Sequence, residues 1–118
     1  MQGRNLRYLD AEPREHDRLA RVGFLLLEHF SLPAFTQALD TLVTANLIRA
    51  QTFTTQTFSL DGESVTSDLG LVICPGDTLA STQLAELDLL VLCGGLRTPL
   101  RAIPELTRLL QMAADKGI

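Results

Sequence analysis

The sequence predicts an α/β fold in which a mainly parallel β-sheet is covered by helices. Short apolar runs of strand length alternate with stretches that repeat at helical spacing. The clearest runs are VGFLLL at 22–27 and DLLVLC at 88–93. Apart from Asp88 they are free of charged residues, as is typical of parallel strands buried on both faces. The second run ends at Gly94 and Gly95, where the backbone either turns tightly or is approached closely by another group. Ligands of open α/β sheets bind at such carboxyl ends.

Length and composition limit the classes of protein to which this chain can belong. The chain has 118 residues, enough for one domain with a real core. Hydrophobic residues make up 46% and charged residues 20%, as in ordinary globular proteins. No apolar run approaches the roughly 18 residues that span a bilayer, and no secretory h-region precedes Val22. We therefore expect a cytoplasmic protein that has no membrane partner and whose two cysteines are free thiols.

The charge is distributed unevenly along the chain. Residues 1–21 carry five arginines and four carboxylates, a net charge of +1. Residues 22–118 carry five cationic side chains and ten carboxylates, a net charge of −5. So acidic a segment repels phosphate backbones and lacks the basic surface of a nucleic-acid binder. Any DNA-binding function must therefore lie in another segment.

The first half of the chain predicts an arm, a strand and a helix. Residues 1–20 are charged and poor in apolar side chains, which predicts a mobile arm before a domain at 21–118. A buried strand follows at 22–27. Ser31 is a suitable helix cap, and Pro33 fits a first helical turn. The apolar stripe that this helix is expected to turn towards the core consists of Leu32, Phe35, Leu39, Leu42, Val43 and Leu47.

The second half predicts further strands and two helices. We expect a Thr- and Phe-rich strand at 51–60, an Asp-Gly turn at 61–62, a returning strand or hairpin arm at 63–66 and an apolar segment at 69–74. These are followed by a short helix at 78–87, the strand before Gly94 at 88–93 and a last helix at 104–116. The last helix starts at Pro104, turns Leu106, Leu109, Leu110 and Ala113 to one face, and ends at Gly117. Residues 97–103 are expected to form a loop.

Cofactor and metal motifs are missing from the sequence. The segment after Cys93 has neither the G-x-G-x-x-G spacing of dinucleotide sites nor a phosphate-binding G-x-x-x-x-G-K-[ST] loop. The candidate soft ligands, His16, His29, Cys74 and Cys93, form no closely spaced pair. We therefore predict no cofactor and no metal.

Cys93 is the one candidate nucleophile that needs separate treatment. It ends a buried strand, and activation would require His29 or Glu28 to reach it. Reactive cysteines, however, normally occupy a sharp strand-to-helix turn near positive potential. A buried free cysteine within a strand usually behaves as a small hydrophobic side chain. We therefore predict no catalytic residue.

Three segments together carry a family resemblance. They are RVGFLLLEHFSLPAFTQALDTLVTAN at 21–46, FSLDGESVTSDLGLVICPG at 58–76 and DLLVLCGG at 88–95. In combination they resemble the amino-terminal domain of GlxA-type AraC-family transcriptional regulators, which is similar to the PfpI-like, class I glutamine amidotransferase-like superfamily. The resemblance covers about 21–118 and the first half of such a domain. It implies a flavodoxin-like three-layer sandwich, incomplete in this chain, that senses a small molecule and forms homodimers.

The same resemblance implies partners. Effectors of such regulators are often amino acids or amine-containing metabolites. DNA would be bound only through a carboxyl-terminal helix-turn-helix domain that this chain does not contain. A partial sheet would also leave an edge or an apolar face uncovered, which favours dimerisation or exchange of elements.

The resemblance also bears on catalysis. Enzymes of the superfamily carry a Glu after the first strand, and the matching position here is Ser31; Glu28 fits only if the alignment shifts by three residues. A hydroxyl cannot replace a carboxylate in proton transfer near neutral pH. The nucleophile elbow would follow the helix 104–116 and lies beyond Ile118. The sequence thus predicts a non-catalytic sensor segment, the alternative being a fragment or subunit of a PfpI-like cysteine hydrolase or amidotransferase.

The predicted ligand site gathers residues from two strand ends. Ser31 and the backbone N–H groups near Gly94 and Gly95 are expected to hydrogen-bond a small polar ligand, and Arg97 to pair with a carboxylate. The alternative is that the glycines only form a turn and that Arg97 is a solvated surface charge. The full predicted set is His29, Phe30, Ser31, Gly94, Gly95, Leu96 and Arg97.

Overall fold

A computed structural model describes residues 19–99 and 101–118. The predicted arm at 1–20 therefore falls, except for its last two residues, outside the described residues. The strands are β1 (Ala20–Leu26), β2 (Phe53–Ser59), β3 (Val65–Thr66), β4 (Val72–Ile73), β5 (Asp77–Thr78) and β6 (Leu89–Cys93). The helices are α1 (Leu32–Ile48), α2 (Ser81–Glu86) and α3 (Pro104–Lys116). None of the helices in the described ranges is both long enough and apolar enough to cross a bilayer.

The described part of the chain forms a parallel sheet in the order β5-β2-β1-β6. β1 lies in the interior of the sheet, with Phe24 opposite Thr57 of β2 on one side and opposite Val91 of β6 on the other. β3 and β4 form a separate antiparallel pair. The prediction of an α/β fold with a mainly parallel sheet is confirmed.

Helices cover both faces of the sheet and create two cores. On one face, Phe24 of β1 packs near Phe30 and Phe35, and Phe35 comes from α1. On the other face, Leu25 of β1 belongs to a cluster with Leu109 of α3. Successive side chains of a strand point to opposite faces, so the continuous apolar run of β1 supplies both cores. The result is the predicted arrangement of three layers.

The start of α1 is fixed as the sequence predicts. The Ser31 hydroxyl accepts a hydrogen bond from the Ala34 N–H at 3.4 Å, and Pro33 lies in the first turn. A second acceptor, which was not predicted, comes from the loop after β3: Asp68 Oδ1 accepts the Leu32 N–H at 3.0 Å. Both groups satisfy backbone donors that a helix start leaves unpaired.

The predicted apolar stripe of α1 is wrong at its carboxyl end. Val43 is 46% exposed and Leu47 is 81% exposed. The inward face continues instead from Leu42 to Asn46, one helical turn on. The Asn46 side chain accepts the Phe53 N–H and donates to the Phe53 carbonyl, both at 2.9 Å, and so ties the helix to the start of β2.

Three further strand predictions need correction. β6 is not buried on both faces: it is the outer strand of the sheet among the described residues, and its Leu89 and Leu92 are exposed. The segment 63–66 does not return along β2, because β2 is already paired with β1 and β5; β3 pairs with β4 instead. The two-residue strand β5, which pairs with the end of β2, was not predicted.

The last helix starts and ends as predicted, at Pro104 and before Gly117, whose φ of 74° is left-handed. Its buried face differs by one position. Leu109 and Ala113 are buried, whereas Leu110 is exposed and Met112 packs against the core in its place.

Candidate functional site

The loops after β1 and β6 lie against each other, as the predicted site requires. The Ser31 N–H donates to the Gly94 carbonyl at 3.0 Å. A Cβ atom built on Gly95 would lie 2.7 Å from the His29 carbonyl oxygen and 3.0 Å from the Ser31 nitrogen. Gly95 therefore allows another backbone segment to approach closely, and its role is not only to form a tight turn. The neighbouring backbone leaves no room for a side chain at this position.

Thr98 joins these two loops through its hydroxyl group. Thr98 Oγ1 accepts the Gly95 N–H at 2.8 Å and donates to the Glu28 carbonyl at 2.9 Å. The Gly95 N–H, one of the donors expected to meet a ligand, is therefore bonded within the protein. Thr98 was not among the predicted site residues.

The predicted side chains divide into a buried group and an exposed group. Phe30 is fully buried and meets Phe35 edge-to-face, with ring centroids 5.7 Å apart. Ser31 caps α1, as described above. Leu96 and Arg97 are exposed, and His29 is half-buried with a left-handed φ of 60°. The structure brings the backbones of these residues together, and their contact with a ligand stays a prediction.

The carboxyl edge of the sheet contains a cavity of about 300 Å³, which we call the strand-end cavity. It lies where β1 and β2 end and where the loop between β6 and α3 passes over them. Its lining shares no residue with the predicted set, although it contains neighbours of that set. The lining residues are Leu26, Leu27, Glu28, Ser59, Leu60, Asp61, Ser64, Val65, Thr98, Pro99, Arg101 and Ile103.

Charged groups reach the strand-end cavity from three separate segments. Glu28 follows β1, Asp61 follows β2, and Arg101 lies in the loop before α3. Asp61 Oδ1 accepts hydrogen bonds from the Ser59 hydroxyl at 3.3 Å and from the Glu63 N–H at 2.9 Å. The position of Asp61 shortly after a strand is a usable signal, but the Asp-Gly pair by itself predicts only a turn.

A smaller cleft of about 120 Å³ lies between α1 and β6. Two predicted site residues, Ser31 and Gly94, line it together with Phe35 and Cys93. Most of its other lining is aliphatic, which offers a polar ligand few partners.

Cys93 lies in an environment that keeps its thiol protonated. It is 8% exposed, and burial raises its pKa to about 11. The thiolate is the reactive form of cysteine, so such a thiol is a poor nucleophile near neutral pH. In the described ranges, no group of three or more His, Cys, Asp or Glu side chains is arranged to hold a metal ion.

The two thiols are expected to differ in reactivity. Cys74 is exposed and Cys93 is buried. Iodoacetamide at pH 7.5 should alkylate the Cys93→Ser variant, which keeps Cys74, at least about tenfold faster than the Cys74→Ser variant, which keeps Cys93. Mass spectrometry of the native proteins measures both rates, and urea-unfolded samples control for intrinsic reactivity. Equal rates in the native proteins would contradict the buried, protonated state of Cys93.

Comparison with solved structures shows which proteins this chain is similar to. The chain is 56% identical to an AraC family transcriptional regulator from Pseudomonas putida, with a TM-score of 0.79 over 84% of this chain and 52% of that one. The chain resembles the AraC-family transcriptional regulators. A curated relative, the HTH-type transcriptional regulator GbdR of Pseudomonas aeruginosa, is 31% identical over 112 residues, which are 93% of this chain. The chain spans only 30% of the length of that relative.

The fold is shared with the DJ-1 superfamily. Atu0886 from Agrobacterium tumefaciens, a protein of that superfamily, matches 83% of this chain with a TM-score of 0.58 and 24% identity. The resemblance to a PfpI-like domain of AraC-family regulators is thus confirmed, and the flavodoxin-like fold with it. No family model matches the chain.

Proposed function

We propose that this chain is the ligand-sensing and dimerisation part of an AraC-family transcriptional regulator that acts in the cytoplasm and has no catalytic activity of its own. The observation that carries the proposal is the 56% identity to an AraC family regulator over 84% of the chain. The net charge of −5 over residues 22–118 makes this segment unsuited to bind DNA. A separate helix-turn-helix domain therefore performs that task.

The effector is a small polar molecule of the amino acid or amine class. The strand-end cavity supports this assignment, since it combines charged groups with apolar walls. Its volume of about 300 Å³ lies at the lower limit of small-molecule sites and suits a metabolite rather than a dinucleotide. The alternative of a cysteine enzyme gains no support from Cys93, because burial raises the pKa of its thiol.

Thermal unfolding with a panel of amino acids and amines tests the sensing function. A ligand present at 100 times its dissociation constant contributes about 2.7 kcal/mol to stability. For a domain of this size, that corresponds to a rise in Tm of roughly 10 °C or more. A panel in which no compound raises Tm would contradict the sensing function.

Dimerisation is supported by the outer strand β6. Leu89 is 51% exposed and Leu92 is 43% exposed. An outer strand with apolar side chains is a ready template for pairing with a second copy. We expect sedimentation velocity to show a dimer that the Leu92→Lys variant weakens, and a strictly monomeric chain at high concentration would contradict this part of the proposal.

A further inference from the structure

We infer that the outer side of the layer formed by α1 and the β3–β4 hairpin binds a second copy of this chain. In this contact the hairpin of one copy packs on the carboxyl-terminal half of α1 in the other, and the reverse contact forms across the same two-fold axis. The inference goes beyond the proposed dimerisation through β6, because it assigns a second contact surface on another side of the molecule. We call this surface the α1–hairpin face, and its exposed aliphatic side chains are Val43, Leu47, Ile48, Leu69, Leu71 and Val72.

Exposed apolar side chains are concentrated on this side of the sheet. α1 and the hairpin cover the same face of the sheet, because Phe35, Val65 and Ile73 pack in one core. The aliphatic side chains of the α1–hairpin face are all at least 46% exposed, and Leu47 reaches 81%. In the described part of the opposite layer, α2 and α3 leave one large hydrophobic side chain exposed, Leu110 at 37%. Such a one-sided concentration is typical of an interaction surface, whereas scattered single side chains are not.

α1 lacks the charged outer side of an ordinary surface helix. Its 17 residues include one charged side chain, Asp40, whereas the 13 residues of α3 include four. The segment 64–73, which contains the hairpin, also has one, Asp68, and its Oδ1 atom accepts the Leu32 N–H. A helix that is apolar all round is typically covered on its outer side as well as on its inner side.

The distribution of charge favours a second copy as the occupant. Residues 22–118 carry a net charge of −5, so two copies repel each other over most of their surfaces. The repulsion is weakest at the α1–hairpin face, because α1 and the segment 64–73 together contribute two carboxylates. This face also offers no pattern of charges by which a partner of opposite charge would be selected. Two identical apolar faces, in contrast, complement each other across a two-fold axis.

The loop of the hairpin is fixed before any partner binds. The Ser67 N–H donates to the Leu71 carbonyl at 2.8 Å, and the Ser67 hydroxyl accepts the Leu71 N–H at 3.2 Å. The Asp68 N–H donates to the Phe30 carbonyl at 2.9 Å, which anchors the loop beside the start of α1. A loop that is already ordered loses little conformational entropy when it docks.

The size of the surface and the position of Asp40 decide how the two copies meet. The outer side of a 17-residue helix measures about 25 Å by 10 Å, which is small beside the roughly 800 Å² that each partner buries in a standard interface. The hairpin must therefore take part. Asp40 lies at the middle of α1, so a contact between the centres of two α1 helices would bring like charges together. A reciprocal contact between hairpin and helix keeps the two Asp40 carboxylates apart.

Sedimentation equilibrium in a Leu92→Lys background tests this contact separately from the outer strand β6. We expect this background protein to self-associate at high concentration. Leu71→Lys and Leu47→Glu should each raise its dissociation constant about tenfold or more, because each places a charge in an apolar contact. Leu110→Lys, at the exposed leucine of the opposite layer, is the control and should leave the dissociation constant unchanged. All replaced side chains are exposed, and circular dichroism checks that each variant keeps its fold.

A mixture of two variants tests the reciprocal geometry. When a Leu71→Lys chain pairs with a Leu47→Glu chain, one of the two hairpin contacts is native and the other joins the introduced charges, which are opposite. The mixture should therefore associate about tenfold or more tightly than either variant alone. A mixture that associates no better than the separate variants would overturn the contact between hairpin and helix.

The outcomes also distinguish this inference from the proposed dimerisation. If the unmodified chain dimerises but the Leu92→Lys protein stays monomeric at high concentration, the inference fails and dimerisation through β6 stands; the α1–hairpin face then belongs to a different partner. Equal weakening by Leu110→Lys and Leu71→Lys would indicate non-specific association and would also overturn the inference. If the unmodified chain is monomeric throughout, both fail.

Discussion

Gly95→Ala is expected to lower the free energy of unfolding by about 2–3 kcal/mol, because overpacking a tightly filled site costs about that much. The added Cβ would lie 2.7 Å from the His29 carbonyl oxygen and 3.0 Å from the Ser31 nitrogen. Both of these atoms belong to backbone, which cannot rotate away as a flexible side chain does. The substitution therefore pushes the ends of β1 and β6 apart, and urea unfolding monitored by circular dichroism measures its cost.

Gly94→Ala is the matched control for this prediction. The nearest atom to a Cβ on Gly94 is Thr98 Oγ1 at 3.6 Å, an ordinary van der Waals distance. Gly94→Ala should change the free energy of unfolding by no more than about 1 kcal/mol. The change is an increase in stability if the backbone at this position accepts alanine without strain. If both variants were equally destabilised, the close approach at Gly95 would not be what makes glycine necessary there.

Phe30→Ala is expected to lower the free energy of unfolding by about 3–5 kcal/mol, as is usual for a buried phenylalanine. Phe30 is 0% exposed and packs edge-to-face against Phe35 at a centroid distance of 5.7 Å. The loss combines buried apolar area, a cavity and an aromatic contact. Chemical denaturation measures the change, with Leu96→Ala as control because Leu96 is fully exposed.

The Phe30 variant also separates two roles for this residue. As a core side chain, it should affect stability strongly, whereas Leu96→Ala should change stability by less than about 0.5 kcal/mol. A Phe30→Ala protein that keeps normal stability and loses only ligand binding would contradict the core role. It would then restore Phe30 to the set of ligand contacts indicated by the sequence.

The features that sequence predicts well here are those decided locally. Ser31 and Pro33 fix the start of α1, because a cap and a first-turn proline act through their own backbone neighbours. Gly117 ends α3 because a left-handed φ favours glycine. The continuous apolar run of β1 predicts a doubly covered strand, which is what the two cores require.

The features that sequence misses depend on distant partners. A run such as LLVLC looks the same whether its strand lies inside a sheet or at its edge, so the exposure of Leu92 was not predictable. The role of Asn46 depends on the position of β2, and that of Thr98 on a carbonyl group 70 residues away. A polar side chain that serves a remote backbone group leaves no periodic signal.

The meeting of the loops after β1 and β6 was predictable from the sequence, whereas the lining of the strand-end cavity was not. Parallel strands end at one edge, so the loops after β1 and β6 had to meet there. Which side chains surround the resulting space depends on the path of the loop 96–103 and on the turn after β2. The sequence offered no constraint on either path, so the predicted set does not include Asp61 and Arg101, which line the cavity.

The parallel sheet has a consequence for the order in which the protein folds. The Asp88 N–H bonds the Arg21 carbonyl at 2.8 Å across 67 positions of sequence, and β1 meets β2 only after the whole of α1. During synthesis, β1 leaves the ribosome before either of the two strands that flank it, and its pairing is complete only after β6 has been made. Such long-range pairing slows folding, because chain entropy is lost before contacts form. The nascent chain thus passes through a stage in which β1 is open to aggregation, and chaperone binding at this strand would protect it.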